Sequence, residues 1–148
     1  MFQHVLVCTD GGKLSDKAVD AAIRLAKDLG ARLTAFHAMQ DYPINPFPEY
    51  AIVASSMSPQ TWKADQEKRA QRILAKVEIK AKKAGVDCSA RAGLDIEPYR
   101  AIIAAAKKSR CDLIVMASHG RRGIKGLVLG SETNKVLTHS KLPVLVYR

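Results

Sequence analysis

Two short stretches of this sequence carry the residue types that hold a phosphate chain and a nucleoside. One is Thr9-Asp10-Gly11-Gly12. The other is Ala117-Ser118-His119-Gly120, with Gly130-Ser131-Glu132-Thr133 beginning ten residues after Gly120. Glycines at 120 and 130 let backbone approach a ligand with no Cβ in the way. Where Gly130-Ser131 opens a helix, the unpaired N–H groups of its first turn make an anion site. The hydroxyls of Ser131 and Thr133 add donors, and Arg121, Arg122 and Lys125 add positive charge between the two glycines. Asp10 can accept from a ribose hydroxyl or a base amine. Together these groups suit a triphosphate tail and its nucleoside.

Hydrolysis is less well served. No GxxxxGK[ST] motif supplies a Lys for the β- and γ-phosphates or a Ser/Thr for Mg²⁺. Fast ATP hydrolysis is therefore not expected, and any turnover would be slow and incidental. His119 has no Ser or Cys nucleophile that the sequence pairs with it, so it reads as a backbone contact rather than a general base. His4, His37 and His139 lack metal-ligand spacing. No catalytic residue and no protein-held metal is expected.

The two stretches need a scaffold to bring them together. Phe2 to Cys8 reads as a strand. Ser15 is expected to cap a helix that Gly30 closes, and Arg32 to Ala38 is a second strand. A helix from Gln60 to Ala84 carries Trp62, Ile73, Leu74, Val77 and Ala81 on one stripe, and Gly85 ends it. Asp87 to Ala92 is a weak third strand, and Asp95 is expected to cap a helix running to Lys108. Asp112 to Ala117, Ser131 to His139 and Leu142 to Tyr147 complete the chain as strand, helix and strand. Such alternation predicts an α/β fold, a doubly wound five-stranded parallel sheet with helices on both faces, Rossmann-like in layout. In such sheets ligands sit beyond the strand C-termini where the strand order reverses. The loops after strands one and four are the places to look. Between Asp41 and Pro59 lies a stretch with Pro43, Pro46, Pro48 and Pro59, long enough to act as a lid.

Composition narrows the class. Of 148 residues 47% are hydrophobic, and 24 Lys+Arg against 14 Asp+Glu give +10. That fits one folded domain over residues 1–148 and excludes disorder. No apolar run approaches the roughly 18 residues of a membrane span, and the N-terminus shows no secretion leader. Cys8, Cys88 and Cys111 are scattered without CxxC spacing, which fits reduced thiols in a cytoplasmic protein. The basic balance permits nucleic-acid binding. Aromatics are only 5% and are not interleaved with Lys or Arg. Lys63 to Lys83, mixed with Asp65, Glu67 and Glu78, reads as a solvated helix face. Neither nucleic acid nor membrane is expected as a partner.

The stretch ASHGRRGIKGLVLGSETNKVLTHSKLPVLVYR, Ala117 to Arg148, resembles the universal stress protein family, and CTDGGKLSDKA resembles that family's opening Asp-Gly turn and following helix. The resemblance covers essentially the whole chain. The family's nucleotide-binding subclass carries G-x2-G-x9-G-[S/T], matched here by Gly120, Gly130 and Ser131, with Ala117 in place of the first glycine. Because Ala117 ends a strand, negative φ is expected there, and the methyl then matters only for close approach. The resemblance implies an adenine nucleotide alpha-hydrolase-like fold that binds ATP or AMP, with Mg²⁺ held only through the phosphates. It places adenosine contacts at Thr9, Asp10, Ala38, Met116, Ala117 and His119. It places phosphate contacts at Gly120, Gly130, Ser131, Glu132 and Thr133. Turned inward, the Glu132 carboxylate would oppose the phosphates; turned outward, it would leave the backbone N–H of Glu132 free to bind them.

By the same resemblance the protein is a stress-response regulator or sensor and a homodimer. The apolar final strand LPVLVY, Leu142 to Tyr147, would be hazardous at a bare sheet edge, and a second copy would cover it about a two-fold axis. Nucleotide is expected to order the Asp41–Pro59 stretch or the Gly120–Gly130 loop. The alternative is a family member that binds no nucleotide and serves as a dimeric interaction module.

Overall fold

The computed structural model describes residues 1–42, 57–120 and 129–148. Pro43, Pro46 and Pro48 of the expected lid, and the loop cations Arg121, Arg122 and Lys125, lie outside the described residues. The elements run β1 (His4–Cys8), α1 (Lys13–Leu29), β2 (Arg32–Met39), α2 (Pro59–Ala84), β3 (Cys88–Leu94), α3 (Pro98–Lys108), β4 (Leu113–Ala117), α4 (Ser131–His139) and β5 (Val144–Tyr147). The strands form one parallel sheet in the order β3-β2-β1-β4-β5. This is the expected doubly wound α/β architecture.

Strand alternation splits the interior into two cores. Val5, Val7, Leu33, Ala35, Leu113 and Val115 face α1 and α2, meeting Val19, Ile23, Leu74 and Val77. Leu6, Phe36, Ile114 and Met116 face the other way, meeting Ile102, Ala105 and Ala106 of α3 and Val136 of α4. β1 and β4 are buried on both sides, which explains their near-continuous apolar sequences.

Several boundaries differ from expectation for local reasons. Gly12, not Ser15, is the N-cap of α1; Ser15 lies at the third helical position, where its hydroxyl accepts from the Gly12 N–H at 3.1 Å. Asp95 does not cap α3 either. Glu97 is the N-cap, and the Asp95 carboxylate accepts from the Glu97 N–H at 3.0 Å in a turn ahead of the helix. β5 starts at Val144 rather than Leu142, because the Leu142 N–H is taken by the Ser140 hydroxyl and Pro143 has none to give. Trp62 is half-buried, and its indole N–H donates to the Gln40 carbonyl at 3.1 Å instead of joining the core.

Three helices finish in one geometry with different residues. Gly30 (φ 62°) and Gly85 (φ 76°) take the left-handed position after α1 and α2. After α3 the same position is held by Arg110 (φ 54°), with the Cys111 N–H reaching back to the Ala106 carbonyl at 2.9 Å.

Candidate functional site

The strand order reverses between β1 and β4, and the loops that leave those two strands meet there. On the β1 side Thr9 extends the strand, its N–H donating to the Phe36 carbonyl at 2.9 Å. The chain then turns sharply. The Gly11 N–H donates to Thr9 Oγ1 at 3.1 Å, and the Gly12 N–H donates to Asp10 Oδ1 at 2.9 Å. Gly11 has φ +74°, which a β-carbon would strain. The Ser15 hydroxyl donates to the same Asp10 oxygen at 2.7 Å. The carboxylate is thus fixed before any ligand arrives.

On the β4 side, Met116 and Ala117 are buried. Among the described residues Arg110 is the only non-glycine with positive φ, so Ala117 sits in ordinary backbone and its methyl adds bulk without strain. The Ser118 N–H donates to the Tyr147 carbonyl, and the Ser118 carbonyl accepts from the Gly130 N–H, both at 2.7 Å. A Cβ on Gly130 would stand 3.1 Å from the His119 Cα and 3.2 Å from the Ser118 carbonyl oxygen. Glycine is therefore needed where two backbones touch. Gly130 (φ −68°) is the N-cap of α4, and no side chain caps that helix. Its first turn opens beside Ser118–Gly120, the arrangement an anion site uses.

The remaining expected residues fall around this crevice with differing orientations. His119 is half-buried, its Nδ1 3.0 Å from the Ser118 hydroxyl. Ala38, near the C-terminal end of β2, packs against the core cluster of Leu6, Phe36 and Met116. Ser131 is exposed at the helix start. Thr133 is buried, and its hydroxyl donates to the Ala117 carbonyl at 3.0 Å, tying α4 to β4. The Glu132 carboxylate turns toward α3. One oxygen accepts from the Tyr99 N–H at 2.9 Å and the other lies 3.5 Å from Lys135.

Two contributors escaped the sequence reading in these roles. His37 is buried, and its Nδ1–H donates to the Thr9 carbonyl at 2.8 Å, bracing the turn from β2. Burial pushes its pKa below the ordinary histidine value. The signal was the parallel register, since Cys8 opposite Phe36 puts Thr9 beside His37. Ser15, expected at the helix cap, does join the capping box by accepting from the Gly12 N–H, and it also donates to Asp10, a role its position alone does not announce.

Known proteins fit this description. The sequence matches the model of the universal stress protein family over residues 1–148. It is 33% identical over 157 residues to universal stress protein YxiE of Bacillus subtilis, covering 100% of both chains. The fold matches hypothetical protein MJ0577 with a TM-score of 0.81 at 22% identity, over 99% of this chain and 96% of that one. A universal stress protein in complex with cAMP matches at 0.72 and 29% identity, over 99% and 97%. A family protein from Arabidopsis thaliana with AMP bound matches at 0.66 and 18%, over 98% and 90%. On the family match across its whole length, this chain belongs to the universal stress protein family.

Proposed function

We propose that this chain binds an adenine nucleotide, ATP or AMP, at the C-terminal ends of β1 and β4, and acts as a cytoplasmic stress-response regulator or sensor. The observation that carries the reading is the meeting of the Asp10 turn with Gly120 and Gly130 at the uncapped start of α4. The relative in complex with cAMP supports an adenine ligand. Adenosine would lie against Thr9, Asp10, Ala38, Met116, Ala117 and His119. The phosphates would lie against the backbone of Gly120 and Gly130 to Thr133, with the Glu132 carboxylate turned away from them. Mg²⁺ would arrive with the phosphates, as the family resemblance implies.

A single domain over residues 1–148 would dimerise through β5, an edge strand whose Leu145 is 40% exposed. A specific observation favours the second reading, a dimeric interaction module without nucleotide. The polar groups of Thr9 and Thr133 are already hydrogen-bonded within the fold.

Thermal unfolding with Mg-ATP, AMP, cAMP and GTP separates the two. A ligand at 100 times its Kd stabilises by about 2.7 kcal/mol. Stabilisation by adenine nucleotides and not by GTP supports the proposal. No shift at millimolar ATP, with no nucleotide carried through purification by mass spectrometry, overturns it in favour of the module.

A further inference from the structure

Away from the crevice, a groove of about 490 Å³ runs between α2 and the β3 edge of the sheet. Its floor is apolar and small, with Leu74 of α2 and Ala90 and Ala92 of β3, and Met39 also lines it. Two carboxylates, Glu67 and Glu78, stand on the same wall. They are eleven residues apart on one helix, so roughly 16 Å separates their backbone positions at about 1.5 Å of rise per residue.

The charge pattern of α2 makes this placement unusual. The helix carries eight Lys/Arg and three acidic residues, yet two of the three acids line the groove and none of the eight cations does. Lys80, for comparison, faces α1 and pairs with Asp20 at 2.9 Å. Among the described residues no ion pair engages Glu67 or Glu78. On a chain of net charge +10, an apolar trough between two unpaired carboxylates is a local site for a cation. The span selects a long cation over a compact one, and the alanine floor selects an aliphatic middle.

We propose that this groove binds a linear aliphatic polyamine, whose methylene chain lies over Leu74, Ala90 and Ala92 while its end ammonium groups meet Glu67 and Glu78. Net charge +10 opposes polycation binding over the surface as a whole, and the methyl shifts locate where spermine binds. Salt weakens it, because both carboxylates are exposed.

The test is calorimetric titration of the full-length, nucleotide-free protein with spermine, putrescine and Mg²⁺, with alanine methyl NMR to locate the site. Spermine binds more tightly than putrescine, Mg²⁺ does not displace it at equal charge, and the shifted methyls are those of Ala90 and Ala92. Glu67→Gln and Glu78→Gln each weaken spermine about three- to fivefold, the loss that one exposed ion pair gives. Both sites are on the helix surface, and circular dichroism verifies that the variants fold. Equal affinity for putrescine, unchanged affinity in the double variant, shifts confined to alanines other than the groove-lining Ala70, Ala75, Ala90 and Ala92, or no binding at millimolar spermine would each overturn the assignment.

Discussion

The Asp10 carboxylate occupies the space a side chain at residue 120 would need: its Oδ2 lies 2.9 Å from the point where a Cβ on Gly120 would stand. It cannot swing aside freely, because Oδ1 is held by the Gly12 N–H and the Ser15 hydroxyl. The glycine at 120 therefore answers to a residue far away in sequence and not to its own backbone angle, which is not positive. Gly120→Ala should cost about 1–2 kcal/mol by displacing that carboxylate and breaking one of its hydrogen bonds. In an Asp10→Ala background the same change should be nearly neutral. Urea melts of the four proteins in the cycle measure the coupling, and additive losses would sink the steric account.

Glu132 works for α3 rather than for the crevice. The N-cap of α3, Glu97, makes no side-chain cap hydrogen bond, and Glu132 supplies the missing acceptor by taking the Tyr99 N–H at 2.9 Å. Glu132→Ala should lose about 1 kcal/mol, the usual cost of a lost cap. Glu132→Gln should lose less, because an amide oxygen still accepts. Neither change should move ATP affinity by more than about threefold, since the carboxylate faces away from the first turn of α4. A tenfold gain in ATP affinity on removing the charge would show that it faces the phosphates in solution.

Arg110 sits where the two companion helices use glycine. A left-handed conformation costs an L-residue with a β-carbon roughly 1–2 kcal/mol. Arg110→Gly should therefore raise stability by about 1 kcal/mol, with the Cys111 N–H to Ala106 carbonyl bond kept. A denaturant midpoint that falls instead would mean that the guanidinium makes a compensating contribution at this end of the sheet.

What the sequence disclosed, and what it hid, follows from the range of the interactions. Strand-helix alternation is local, so the doubly wound sheet and the location of its reversal point were readable from patterns such as Leu113–Met116 and from Gly30 and Gly85. The reason for each site glycine was not local. Gly130 is constrained by the His119 and Ser118 backbone, and Gly120 by Asp10, contacts that exist only once β1, β4 and α4 meet. Ser15 and Asp95 were both read as caps because a hydroxyl or carboxylate before a helix usually is one. At α1 the cap falls to Gly12, three residues ahead of Ser15, and at α3 to Glu97, two residues past Asp95, which leaves both side chains to orient a turn. The direction of the Glu132 carboxylate was open in the sequence, and the Tyr99 N–H resolves it.

His37 links the crevice to pH. It is buried beneath the Asp10 turn, with Asp10 and Arg69 as its charged neighbours, and burial lowers its pKa; Arg69 pushes the same way, while Asp10 and the Thr9 hydrogen bond push back. His4, at the start of β1, is lowered for the same first reason. An unfolded chain protonates histidine near pH 6.5. The folded protein resists down to a lower pH, so between those two values the unfolded state binds more protons and stability rises with pH. The full stability is present above about pH 6.5 and declines below it, before most carboxylates titrate. Urea midpoints at pH 7.5, 6.5 and 5.5 should fall in that order. His37→Asn, whose amide can still donate to the Thr9 carbonyl, should flatten the slope without abolishing it, because His4 contributes the remainder. A midpoint independent of pH over this range would mean that neither imidazole is held neutral by the fold.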